Sequence, residues 1–134
     1  TIIAAASSIL VLVNGYLRGV RLLVGAVALF AVMFLGMQAA LFYHARSAAI
    51  AAAQEGARAA AGEHGQESDG VHAANAFIED AGGDDVLPGA TTTANRTATT
   101  VTVVVRGHSL SVIPGWSPVV RQEVSIPVER LTAP

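Results

Sequence analysis

Four histidines and ten carboxylates are the only groups through which this chain could do metal or acid-base chemistry, since it has no cysteine. The tightest grouping is His64, Glu67, Asp69 and His72. A zinc site needs three or four ligands converging at about 2 Å, and these four are strung across a glycine-containing segment with none of the spacings zinc sites use. A solvated loop accounts for them. The run from Asp80 through Gly82 and Gly83 to Asp84 and Asp85 offers carboxylates and carbonyls to Ca²⁺. It lacks the alternate-position ligands and terminal Glu of an EF-hand loop, and reads as a polar turn. Ser109 and Ser111 neighbour His108, but adjacent residues on a strand point to opposite faces and no nucleophile elbow is present. Asn95-Arg96-Thr97 forms a glycosylation triplet, which carries weight only in a eukaryotic secretory route. No catalytic, cofactor-binding or metal residue is assigned, and the chain is expected not to be an enzyme.

The elements that would position any site explain why chemistry is so sparse. Hydrophobic residues make up 52% of the 134-residue chain and charged residues 13%, about half the share usual in a soluble domain. The apolar surplus is Ala, Val, Leu and Ile, concentrated before Phe42. A net charge of −2 supplies no basic field for a phosphate backbone, so nucleic acid is not an expected partner. Without cysteine, a head of this size must fold without disulfides.

From Leu22 to Tyr43 the chain reads LLVGAVALFAVMFLGMQAALFY, with no charge and a single amide, Gln38. As helix this is roughly 33 Å, enough to cross a hydrocarbon core of about 30 Å. The rest of the chain is too short to enclose it as a soluble core helix. Arg18 and Arg21 flank the near end, His44 and Arg46 the far end; the short Arg18/Arg21 side reads as cytoplasmic and the C-terminal part as translocated. Ahead of this run, Ile2 to Val13 would make only about 18 Å of helix. It reads as a removable leader, as the first part of one long helix, or as a hairpin limb turning at Asn14-Gly15. Thr rather than Met at position 1 suggests a processed or trimmed chain. Gly15 and Gly19 form a GxxxG pair, a weak close-approach signal because Arg18 lies within it.

The helical pattern continues through residues 44–62, where Gln54 and Glu55 stand four and three residues before Arg58, placed to pair with it on one face. Gly62 and Gly65 are stop signals. With no break at Gly56, a rod emerges from the membrane and ends in a small knob. Residues 63–70 read as a polar linker, and Val71–Asp80 as a short amphipathic helix, with Ala74, Phe77 and Ile78 inward, stopped by Gly82-Gly83. Thr97–Arg106 is a strong strand. Val119–Arg130 alternates unevenly, and Pro127 makes it an edge strand or the end of one; Val86–Asn95 supplies a third, weaker strand. Trp116 is read as a plug closing the sheet, against the rival readings of an exposed contact or a membrane-interface residue. The expected fold is α+β: an N-terminal apolar segment (1–19), a transmembrane and stalk helix (20–62), and an extracytoplasmic α/β head (63–134) with an antiparallel sheet.

Small residues along the long helix, Gly36, Ala40, Gly56 and Ala57 among them, would let other helices approach closely, with Glu55 and Arg58 helping to set register. Ala as a mere helix former is the competing account.

The order of parts is also familiar. An apolar span is followed by FYHARSAAIAAAQEGARAAA at 42–61, a Gly-rich polar linker, a Val/Thr strand ending Val105-Arg106-Gly107, then Val112-Ile113-Pro114-Gly115 and a closing Pro127-Val128-Glu129-Arg130. Over about residues 20–130 this resembles the TadE-like minor pilins of bacterial tight-adherence (Flp) pilus systems, most specifically at Ala53-Gln54-Glu55-Gly56-Ala57-Arg58-Ala59-Ala60. The resemblance implies a membrane-held pilin-like subunit of the bacterial cytoplasmic membrane, its head outside. It also implies processing by a prepilin peptidase, partners among other pilin-like subunits and the assembly machinery, and no cofactor. Gly19, after Arg18, is the matching processing site. The chain departs from the family's pattern just beyond: Val20-Arg-Leu-Leu-Val24 replaces the usual small residues, and no acidic residue precedes Glu55. Glu-guided docking into a filament thus has no counterpart here, which leaves open a subunit that stays in the membrane. A rival of another class is a single-pass, membrane-tethered binding or sensing module.

Overall fold

A stretch with no proline, few β-branched clusters and abundant Ala and Leu has every local reason to be helical. In the computed structural model, which describes residues 1–131, α1 runs from Ile2 to Ala61. It is followed by α2 (Glu67–Ala81), a short 3₁₀ turn (Gly83–Asp85), β1 (Thr91–Arg96), β2 (Thr100–His108) and β3 (Val119–Pro127). The α+β expectation holds. The hairpin at Asn14-Gly15 does not: both residues lie inside continuous helix, where a single Gly costs only about 1 kcal/mol against Ala. Residues 132–134 of the expected head lie outside the described residues.

The chain divides into two compact units, residues 1–36 and 37–134. In the first, every residue is solvent-exposed, including Leu22, Val27, Leu29, Phe30, Val32 and Leu35. The helix to which it belongs, α1 (Ile2–Ala61), is long and apolar enough to cross a membrane, with none of its most apolar window buried by the chain itself.

The second unit is built on the C-terminal part of α1. Its sheet is a three-stranded antiparallel meander in the order β1-β2-β3. Val101, Val103 and Val105 of β2 point inward and are fully buried, with Val120 of β3 almost so. They meet a helix stripe of unusually small residues: Ala45, Ala49, Ala52, Ala53, Gly56, Ala57, Ala60 and Ala61. Their three-and-four spacing keeps them on one face. Small side chains on the helix and β-branched ones on the sheet let the two backbones approach closely, so the core is thin but dense.

Several boundaries differ from the sequence reading. The weaker strand expected over 86–95 forms as β1 only from Thr91, the strand expected over 119–130 ends at Pro127, and α2 and β2 start elsewhere than expected. The α2 helix begins at Glu67, four residues ahead of the expected start, because the Asp69 carboxylate accepts a hydrogen bond from the Gln66 backbone N–H at 2.8 Å and caps the first turn. Gly70, read as linker, lies within α2 and is buried against α1. Strand β2 starts at Thr100 because Thr97–Thr99 form the β1–β2 turn, with Thr97 Oγ1 accepting from the Thr100 N–H at 3.0 Å. The edge position of β3 and its end at Pro127 match the role expected of that residue, since proline cannot donate to a ladder.

Candidate assembly and membrane-facing surfaces

The sequence assigned helix-packing roles to residues that the fold separates. Gly36 and Ala40 are exposed, as is Gly19. Gly56 and Ala57 are buried inside the head, which corrects the expectation that they face neighbouring helices. A Cβ added at Gly56 would lie 2.7 Å from the Gly70 carbonyl oxygen, 3.1 Å from Ala74 Cβ and 3.3 Å from Val103 Cγ1. The close approach that small residues permit is therefore taken up at this level by the chain's own α2 and β2. The same holds for Ala45, Ala49, Ala52, Ala53, Ala60 and Ala61. The Ala-rich motif at 53–60 is, in the folded chain, chiefly the floor of a core.

Glu55 and Arg58 do pair, with Nη1 to Oε1 at 3.0 Å, on the outer side of the same turns. Both side chains are about half or more exposed, at 47% and 68%, so the pair is screened and contributes little to stability.

The carboxylates and hydroxyls that drew attention in the sequence are engaged in holding the fold. Glu67 accepts from the Arg96 backbone N–H at 2.9 Å, and Asp69 caps α2. Asp84 Oδ1 accepts from the Gly89 N–H at 3.4 Å. Ser109 is buried and donates to the Leu110 carbonyl, while Ser111 donates to Ile113 O and accepts from Ile113 N–H. His108, the last residue of β2, is exposed, whereas Ser109 just after it is buried. Among the described residues no group of three or more His, Asp or Glu is placed to hold a metal ion.

Two side chains matter more than the sequence indicated. Arg96 donates from Nη1 to the carbonyls of Ala60 and Gly62, the latter at 2.9 Å, and from Nη2 to Glu63 O at 3.4 Å. Glu129 N–H takes the Ala61 carbonyl at 2.9 Å. The end of α1, whose last carbonyls have no partner within the helix, is thus closed by β1 and by the segment after β3. A guanidinium placed there also complements the negative end of the helix dipole. A partner this far away along the chain leaves no local spacing signal.

Gln38 is the second. It is 4% exposed, donates through Nε2 to the Leu110 carbonyl at 3.2 Å and accepts at Oε1 from the Val112 N–H at 2.9 Å. The lone amide of the apolar run therefore clamps the β2–β3 connection against α1. That connection carries Trp116, which is 50% exposed and so is not the plug expected for it. Pro114 and Gly115 (φ 76°) turn the chain there, with the Trp116 N–H on Ile113 O at 3.3 Å, and aim the indole outward.

Arg106 and Arg121 stand opposite one another on β2 and β3, both exposed, and with Thr91, Thr93 and Val104 they line a shallow groove on the outer sheet face. Arg121 is paired with Glu123 at 2.8 Å.

Comparisons with protein-family models, with curated proteins and with solved structures find no match for this chain.

Proposed function

We propose that this chain is a structural, membrane-anchored, pilin-like subunit that acts in the assembly of a bacterial tight-adherence pilus. The observation that carries the reading is the division of labour along α1. Its C-terminal turns bear the Ala/Gly stripe on which the chain's own sheet is seated, and its residues 1–36 expose large apolar side chains that the chain does not cover. Such a surface is stable only among lipid tails or against other apolar helices. Gly36 and Ala40, small and uncovered, are where a neighbouring pilin-like helix would come closest. The order of motifs shared with TadE-like minor pilins supports the same assignment.

The chain has no cysteine, so single replacements Gly36→Cys and Ala40→Cys report helix neighbours directly. Oxidation in membranes of a bacterium carrying the pilus machinery should yield a disulfide-linked species at one or both positions when a pilin-like partner carries a matching cysteine. A chain that remains uncrosslinked at every position of the exposed face, and is recovered monomeric in buffer without detergent, would defeat the proposal. The Arg106/Arg121 groove favours a second reading, a tethered module whose head binds an anionic ligand. Retained pilus assembly in a chain lacking the head groove arginines, with loss of ligand binding, would mark that role as the working one.

A further inference from the structure

The connection between β2 and β3 has the chemistry of a membrane-contacting loop. From Gly107 to Val120 there is no Asp, Glu, Lys or Arg, and the nearest such residues on either side are Arg106 and Arg121. Leu110, Trp116 and Val119 are 38%, 50% and 66% exposed. In plain water three such side chains on one short segment would be a poor use of surface.

Part of its backbone is satisfied from within the chain. The Ser109 N–H bonds to Pro118 O at 2.9 Å, the Ile113 N–H to Ser111 Oγ at 3.0 Å, and the Trp116 N–H to Ile113 O at 3.3 Å. Gln38 takes the Leu110 carbonyl and the Val112 N–H, and Pro114 and Pro118 have no N–H to satisfy. Backbone bonded in this partial way suits the hydrated headgroup layer rather than the hydrocarbon core, where every group would need a partner.

The position of the loop is set by Gln38. That residue lies inside the uncharged run that ends at Tyr43, about 8 Å of helix from its end. A loop bound at the level of Gln38 therefore lies beside roughly the last turn and a half of the apolar run. We infer that Leu110–Val119 rests in the headgroup layer of the bilayer that α1 crosses, with Trp116 as its interfacial anchor. Indoles favour that layer because one edge is apolar and the other donates a hydrogen bond. The inference rests on the membrane-anchored reading of α1.

Trp116 is the chain's single tryptophan, so the unaltered protein carries its own probe. The full chain is reconstituted into phosphatidylcholine vesicles with nitroxide-labelled lipid, the label either shallow or deep in the acyl chain. A Phe34→Cys variant carrying a fluorophore reports the helix independently. Trp116 emission should shift to the blue relative to the protein unfolded in urea, and be quenched more by shallow than by deep nitroxide, while the Phe34→Cys label is quenched by lipid. If the label is quenched and Trp116 is insensitive to lipid nitroxide yet open to aqueous iodide, the loop inference fails and the anchored helix stands. Should neither be quenched, α1 is not in the bilayer and both readings fall.

Discussion

Replacing Gly56 by Ala tests whether α1 and α2 truly cross backbone to backbone. In an exposed helix this change stabilises by up to about 1 kcal/mol, because Ala is the better helix former. Here the new methyl would sit 2.7 Å from the Gly70 carbonyl oxygen, with Ala74 Cβ at 3.1 Å and Val103 Cγ1 at 3.3 Å closing two further directions. None of these is the far end of a flexible side chain, and a Cβ at Gly70 would likewise meet Gly56 O at 2.9 Å and Ala60 Cβ at 3.0 Å. Forcing a methyl into such a contact costs about 2–3 kcal/mol, within the range for overpacked cores. Less the propensity gain, a net loss of about 1–2 kcal/mol remains. For a unit of this size that lowers the thermal midpoint by roughly 4–16 °C. The assay is far-UV circular dichroism or differential scanning of the full chain in detergent micelles, beside Gly36→Ala, where an added Cβ meets nothing within 4 Å. Gly36→Ala is expected to be neutral or slightly stabilising. A Gly56→Ala chain that melts with the Gly36→Ala control would refute the close crossing, and with it the account of why this Ala/Gly stripe is small.

Changing Gln38 to Leu leaves the part-buried Val112 N–H without its partner and the Leu110 carbonyl with Ser109 Oγ alone, at about 1–3 kcal/mol in all, and should speed hydrogen exchange at Val112 by roughly ten- to hundredfold while the β1–β2 ladder keeps its protection. Arg96→Ala removes a charged cap from three carbonyls at the end of α1 and should cost about 2 kcal/mol in a denaturant titration. Arg96→Lys should recover less than half of that, because one ammonium cannot reproduce the guanidinium fork; full rescue by Lys would count against the geometry. Arg106→Glu exchanges a like-charge pair across β2 and β3 for an opposite-charge one, and should raise stability by at most about 1 kcal/mol, with the gain shrinking as salt is added.

What the sequence disclosed and what it withheld divide along a physical line. The helices, the three strands and the edge character of β3 could be read in advance because each is written in local terms: periodicity, β-branching, a proline that ends a ladder. The pairing of Glu55 with Arg58 is local in the same sense. The fate of the small residues was not. An Ala/Gly stripe states only that something comes close, and the spacing of Ala45, Ala49, Ala52 and Gly56 is the same whether the neighbour is a second chain or β2. Arg96 lies 34 residues from the Gly62 carbonyl, and Gln38 lies 74 residues from the Val112 amide, so neither role has a signature within any window a pattern can scan. A single amide in an otherwise apolar helix nevertheless carries information, because burying it unpaired would cost several times a typical hydrogen bond's net gain. Gln38 therefore required a partner from the start, and the folded chain supplies one from the loop that bears its only tryptophan. On the proposed assignment, the exposed small residues Gly36 and Ala40, which the head leaves uncovered, are where an external helix would pack.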